Sequence, residues 1–271
     1  MNKFTIFTLA AFTASSSIAL AGDGDGPGGD ILLGDGNSTA NFSTSGQDSW
    51  IVDGIDHLYA QEFYLRRAGD DDERNINSLT LLGQALTDTN PFSDTRLDTI
   101  SSLYLDGHDL EIETSYTLRG GTAGSNNSDI AEQISLTNTG TSTISFSFFQ
   151  YVDFDLGGDF SDDWGQIVDG NVAQQFDDEF AASETVVTPF PTLFQMGDEG
   201  TISDLWSNGE ADTLNGDSSY QGDVAWAFQW DITLEAGESF LISKDKSIVP
   251  TPGSMALLTT AGLLCTRRRR A

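Results

Sequence analysis

The chain has 271 residues, of which 42 are acidic and 12 basic, for a net charge of −30. A negative field of that size repels nucleic acid and anionic lipid, and it excludes both as partners of the body of the protein. The one cysteine, Cys265, lies near the C-terminus, so the body can form neither a disulfide nor a thiolate metal site.

The N-terminus opens with Lys3, an apolar run from Phe4 to Phe12, and Ile18-Ala19-Leu20-Ala21 before Gly22. This layout predicts a signal peptide over residues 1–21, cleaved after Ala21. Residues 22–48 are rich in Gly, Asp and Ser and read as a flexible leader. The Asp23 and Asp25 it carries between glycines are not held in place for a ligand.

Residues 49–248 read as one all-β domain. No long apolar segment of helical period appears, while strict alternation recurs. Strands are predicted at Leu58–Arg66, Leu97–Leu105, Leu110 to Leu118 and Ile130–Asn138, then from Ile144 to Leu156. Shorter ones follow at Gln166–Val168, Val172–Phe176, Thr185–Thr188 and Phe240–Ser243. Val224 to Leu234 is the plainest, with Val224, Trp226, Phe228, Trp230, Ile232 and Leu234 on one face. Ala225, Ala227, Gln229, Asp231 and Thr233 fall on the other. Short Gly-containing loops at 106–108, 138–142 and 235–238 read as hairpin turns. Hairpin-linked strands with one solvated face predict an antiparallel β-sandwich, with a closed β-barrel as the alternative.

Asp153, Asp155, Asp159, Asp162 and Asp163 form the densest acidic cluster near a strand end. Oxygen-only donors on a loop suit Ca²⁺, the one cofactor the sequence offers. The spacing does not match an EF-hand, and a solvated loop is the plainer alternative. Trp50, Tyr64, Trp164, Trp206 and Tyr220 fall in loops or at strand ends, where an exposed ring can stack on a sugar and a buried one caps the core. The only histidines, His57 and His108, sit in no nucleophile-elbow or metalloprotease motif, so no catalytic residue is assigned.

The C-terminus reads Val249, Pro250, Thr251, Pro252, Gly253, Ser254, then an apolar stretch Met255 to Thr266, then Arg267, Arg268, Arg269 and Arg270. The apolar stretch makes about 18 Å of helix against a hydrocarbon core of roughly 30 Å, which suits transient residence in a bilayer. The arginines place its end in the cytoplasm. This order of breaker motif, short hydrophobic helix and basic stop resembles the PEP-CTERM sorting signal of exosortase substrates, in a variant with Thr251 where that motif has Glu. Asn138-Thr139-Gly140, Phe148 to Leu156, Trp226 to Leu234 and Ser243 to Lys246 are similar to the body of other proteins carrying the signal. The resemblance implies residues 249–271 as a sorting signal and an exosortase-type membrane enzyme as partner. It also implies transient insertion into the inner membrane and delivery to the cell envelope, cell surface or extracellular matrix. The expectation is therefore an exported, non-catalytic sandwich with a structural or adhesive role. The alternatives are a carbohydrate- or calcium-binding module, with extracellular polysaccharide as partner, and a polysaccharide hydrolase.

Overall fold

The computed structural model describes residues 30–107 and 109–251. Its strands begin with β1 (Ile31–Asp35), β2 (Ser38–Phe42), β3 (Gly46–Val52), β4 (Ile55–Asp56), β5 (Leu58–Arg67) and β6 (Arg74–Asn75). They continue through β7 (Thr80–Thr87), β8 (Thr99–Asp106), β9 (Leu110–Gly120), β10 (Ser128–Asn138), β11 (Ile144–Phe154) and β12 (Asp163–Val168). The last six are β13 (Val172–Phe176), β14 (Phe180–Thr188), β15 (Leu193–Asp198), β16 (Ser219–Gly222), β17 (Val224–Leu234) and β18 (Ser239–Pro250). A single α-helix among the described residues, α1 (Glu199–Asp204), follows β15. No helix among them is long and apolar enough to cross a membrane.

The strands form two open sheets, so the fold is an antiparallel β-sandwich and not a closed barrel. The first sheet runs β1-β2-β3-β5-β11-β17-β15, with β4 beside β3 and β6 beside β5. The second runs β16-β12-β13-β14-β18-β10-β9-β8-β7. The alternation of β17 comes out as predicted: Trp226, Phe228 and Trp230 are buried in the core between the sheets. Trp226 stacks on Phe154 with ring centroids 5.5 Å apart.

Four expectations are corrected. Residues 31–48 are not a flexible leader: they supply β1, β2 and the start of β3, because Leu33, Ala40 and Phe42 have core to bury against. The β1–β2 turn is pinned by its polar residues, Asp35 Oδ2 accepting from Gly120 N at 2.8 Å and Asn37 Oδ1 from Gly121 N at 2.7 Å. Gly36 in that turn has φ +50°, and a Cβ there would stand 2.4 Å from the Gly121 carbonyl oxygen. Second, the loops at 138–142 and 235–238 are not hairpins, since each carries the chain from one sheet to the other. Asn138 ties the two crossings together: its Nδ2 donates to the carbonyls of Ser142, Leu234 and Glu235 at 2.8–3.0 Å.

Third, the outer face of the first sheet is not solvated along its middle. Ile202, Trp206 and Leu214, from the segment after β15, cover Tyr64, Phe149, Tyr151, Ala225 and Ala227 in a second apolar cluster. Small residues on that face of β17 leave room for the Trp206 ring, which stacks on Tyr64 at 4.8 Å. Fourth, the presumed break at Val249 and Pro250 is the end of β18, paired with Ala181 and Phe180 of β14. Thr251 N donates to the Glu179 carbonyl at 2.8 Å. The expected signal peptide over residues 1–21, Pro252, Gly253, Ser254, the apolar stretch, Arg267 to Arg270 and His108 lie outside the described residues.

Candidate functional site

The end of β11 and the register of its partner build an acidic hollow. Asp153 pairs with Ala225 across the antiparallel β11–β17 ladder. Two residues further on one strand and two back on the other, Asp155 and Asp223 come opposite each other on the same face. Carboxylate oxygens of Asp153, Asp155 and Asp223 all lie within 4.8 Å of one another. Glu199 joins them at the start of α1, its N–H donating to the Asp223 carbonyl at 3.0 Å. The hollow is about 230 Å³ and is completed by Tyr59 and Phe160. Tyr59 and Phe160 are 65% and 59% exposed.

The electrostatics are one-sided, because four carboxylates line the hollow and no lysine or arginine does. Asp153 is 2% exposed. Burial pushes its carboxyl up to about 8, with Asp155, Asp223 and Glu199 adding repulsion against the Tyr151 hydrogen bond. The Tyr151 hydroxyl reaches Asp153 Oδ2 at 3.1 Å and Glu199 Oε1 at 3.4 Å. Asp153 Oδ1 has no partner, a deficit of about 1–3 kcal/mol for a buried acceptor. Burial raises Asp155 and Asp223 as well, each against further acids.

Of the five predicted calcium ligands, the fold brings only Asp153 and Asp155 together at this place. Asp159 is exposed, and its carboxylate accepts from the N–H and hydroxyl of Ser161, which hold it below the usual range. Asp162 is exposed beside it. Asp163 opens β12 and turns inward, where Gln175 donates to its Oδ2. Asp223, seventy residues further on, takes their place, and only the register of two distant strands reveals it.

The predicted sugar-stacking rings mostly have structural duties. Trp50 is fully buried, its indole N–H donating to Ser128 Oγ at 2.9 Å. Tyr64 and Trp206 belong to the second apolar cluster. Tyr220 donates to Asp198, and Trp164, 42% exposed, stacks on Phe176 at 5.6 Å. The rings at the hollow, Tyr59 and Phe160, escape the sequence reading, although each carries a signal. Tyr59 stands on the solvent side of a strand, and Phe160 interrupts a Gly/Asp/Ser turn. A larger hollow of about 410 Å³ at the other end of β11 has its polar groups already paired, Ser145 with Thr233 and Ser147 with Asp231.

The fold and the hollow define a two-sheet antiparallel sandwich with an acid-lined, aromatic-flanked site at one end of a central strand. No family model matches the chain, and no curated protein sequence matches it. Among solved structures, its fold is similar to a bacterial glucoamylase complexed with acarbose, with a TM-score of 0.58 and 10% identity over 88% of this chain. The match spans 36% of that glucoamylase chain. A galactose mutarotase-like protein from Lactobacillus casei gives a TM-score of 0.51 at 9% identity, over 81% of this chain and 100% of that one. A galactose mutarotase related enzyme from Lactobacillus acidophilus gives 0.50 at 10% identity, over 82% and 97%.

These neighbours correct two further expectations. A body with a purely structural or adhesive role, and one from which catalysis is excluded, both lean on missing motifs. A fold held in common with a glucoamylase and a galactose mutarotase related enzyme removes that ground.

Proposed function

We propose that this protein recognises carbohydrate in the hollow between Tyr59 and Phe160. The carrying observation is the pairing of two exposed rings with four carboxylates in one cleft. Rings take the apolar face of a pyranose, and carboxylates accept hydrogen bonds from its hydroxyls. The likeness of the fold to carbohydrate-processing proteins supports the reading. Export belongs to the same proposal: the pattern of residues 1–21 supports a signal peptide, and that of residues 249–271 supports exosortase-type sorting to the cell envelope, surface or matrix. Extracellular polysaccharide is then the partner within reach, met after a transient inner-membrane stage.

The test is isothermal titration of the protein with D-galactose, with acarbose and with extracellular polysaccharide from the native host. Tyr59→Ala and Phe160→Ala are each expected to weaken binding about ten-fold, equivalent to about 1.4 kcal/mol. Trp164→Ala is expected to leave it unchanged. Proton NMR of the same samples reports any conversion of the sugar. No binding of any of the three probes, or equal binding by the Tyr59 and Phe160 variants, sinks the reading.

A further inference from the structure

We propose that Asp153, Asp155 and Asp223 hold a calcium ion, and that this ion meets the hydroxyls of the sugar in the hollow. The second half rests on the carbohydrate reading; the first stands without it. Oxygens bound to a common calcium at about 2.4 Å can be no more than about 4.8 Å apart. The three carboxylates meet that bound as they stand. An acidic cluster alone is commonplace, but here a second observation points to a ligand. Asp153 lines the hollow and is 2% exposed, and its Oδ1 lacks any hydrogen-bond partner. Tyr151 occupies the other oxygen and so fixes the carboxyl's orientation.

The donor chemistry selects the metal. Every candidate ligand is a carboxylate oxygen, with no histidine or cysteine to favour zinc, and the half-open geometry suits calcium better than the strict octahedron of magnesium. Three carboxylates leave part of a six- to eight-fold shell open toward Tyr59 and Phe160, where water or a pair of neighbouring sugar hydroxyls completes it. The ion's two positive charges also offset part of the repulsion in a hollow that contains four acids and no basic side chain. Asp159, Asp162 and Asp163 stand outside the site.

The experiment starts from EDTA-treated full-length protein, titrated with CaCl₂ by calorimetry at pH 7.5. One saturable equivalent is expected, with Kd on the order of 10⁻⁴ M, the range of extracellular sites. Asp223→Asn and Asp155→Asn, each confirmed folded by circular dichroism, are expected to weaken binding at least about ten-fold, while Asp162→Asn binds as the parent does. Luminescence of Tb³⁺ sensitised by nearby Tyr151 and Tyr59 gives a second readout with the same ranking. An absent equivalent, or both site variants binding like the parent, overturns the site. D-galactose and acarbose are then titrated with calcium and with EDTA, and at least about ten-fold tighter binding in calcium is expected. Equal sugar affinity in EDTA overturns the bridging role and leaves the carbohydrate reading intact. Calcium binding with no sugar binding overturns the carbohydrate reading and leaves the metal site intact.

Discussion

Lys244 Nζ lies 2.9 Å from Glu132 Oε1 in the middle of the sandwich, and neither side chain reaches solvent. The pair belongs to a charged layer between the sheets. Lys244 also meets Glu184 at 3.2 Å, and Lys246 sits 3.7 Å from Glu132 Oε2. The first sheet answers with neutral amides: Gln150 accepts from Lys244, while Gln47 and Gln61 accept from Lys246. Burial would raise the Glu184 carboxyl, but Lys244 and Lys246 outweigh it and hold it below its ordinary value. Burial likewise pulls Lys246 down to about 8 despite Glu132 and Glu184. Two lysines and two glutamates close the charge balance, and the amides orient the second sheet over the first.

Removing one member should cost far more than removing a balanced pair. Lys244→Met removes the cation that Glu132 and Glu184 share and leaves Lys246 alone to offset both in the core, and a loss of about 3–5 kcal/mol is expected. Lys244→Met with Glu132→Gln restores the balance and should recover more than half of it. Urea denaturation of the two variants reads the difference. Equal losses would mean that the charges are separately solvated and the layer is not a unit.

Asn138 provides the second expectation. Its two amide N–H groups reach three carbonyls at the two crossings between sheets, one hydrogen being shared, and its Oδ1 accepts from Gly140 N at 2.9 Å. Asn138→Ala strands the buried Leu234 carbonyl and frees those of Ser142 and Glu235, so a loss of about 2 kcal/mol is expected in thermal or urea unfolding. Asn138→Asp, which keeps the shape but loses the donors, should cost at least as much. A nearly neutral Asp variant would show that the crossings hold without the amide.

How much of this was legible follows from the range of each interaction. The β17 pattern is local: two faces at period two, with Trp226, Phe228 and Trp230 sharing one, so the strand and its buried face can be read directly. Leu33 and Phe42 fail because their partners lie elsewhere in the chain and nothing nearby distinguishes a glycine-rich strand from a linker. The 138–142 loop has hairpin chemistry, yet it joins different sheets, a choice made by the long pairings of β10 with β18 and β11 with β17. Two of the three carboxylates of the calcium candidate, Asp153 and Asp155, are visible in the sequence. Asp223 is not, because its place depends on strand register across seventy residues.

Asp163 makes stability depend on pH. Its carboxyl is buried, Gln175 donates to one oxygen, and the other has no partner. Burial, then repulsion from Asp177 and Asp162, raises its pKa from 3.8 in the unfolded chain to about 7. Between those values the folded state keeps a proton that the unfolded state has lost. Stability therefore falls as pH rises from about 4 to about 7 and levels off above. Asp163→Asn supplies a permanent donor in place of that proton. The variant should gain on the parent by about 1 kcal/mol at pH 8, or about 2–4 °C in Tm, and by less at pH 5. A gain that is the same at both pH values would remove Asp163 as the source of the slope.

The C-terminal boundary gives the last expectation. Ile248 is fully buried, and β18 keeps its pairing with β14 as far as Pro250 opposite Phe180. Thr251 adds one more hydrogen bond, to Glu179. If residues 249–271 are the sorting tail proposed above, processing must cut at or after Thr251 for the sandwich to stay whole. A chain ending at Thr251 should melt where the full-length protein does. One ending at Ser247 loses the Ile248 side chain and the end of the ladder, and its Tm should drop by roughly 5–15 °C. The intact mass of mature protein from the native host should place its end at or after Thr251, and replacing Arg267–Arg270 with serine should release protein that still carries its tail. A mature chain ending before Val249, or one still ending at Ala271, would defeat the sorting reading.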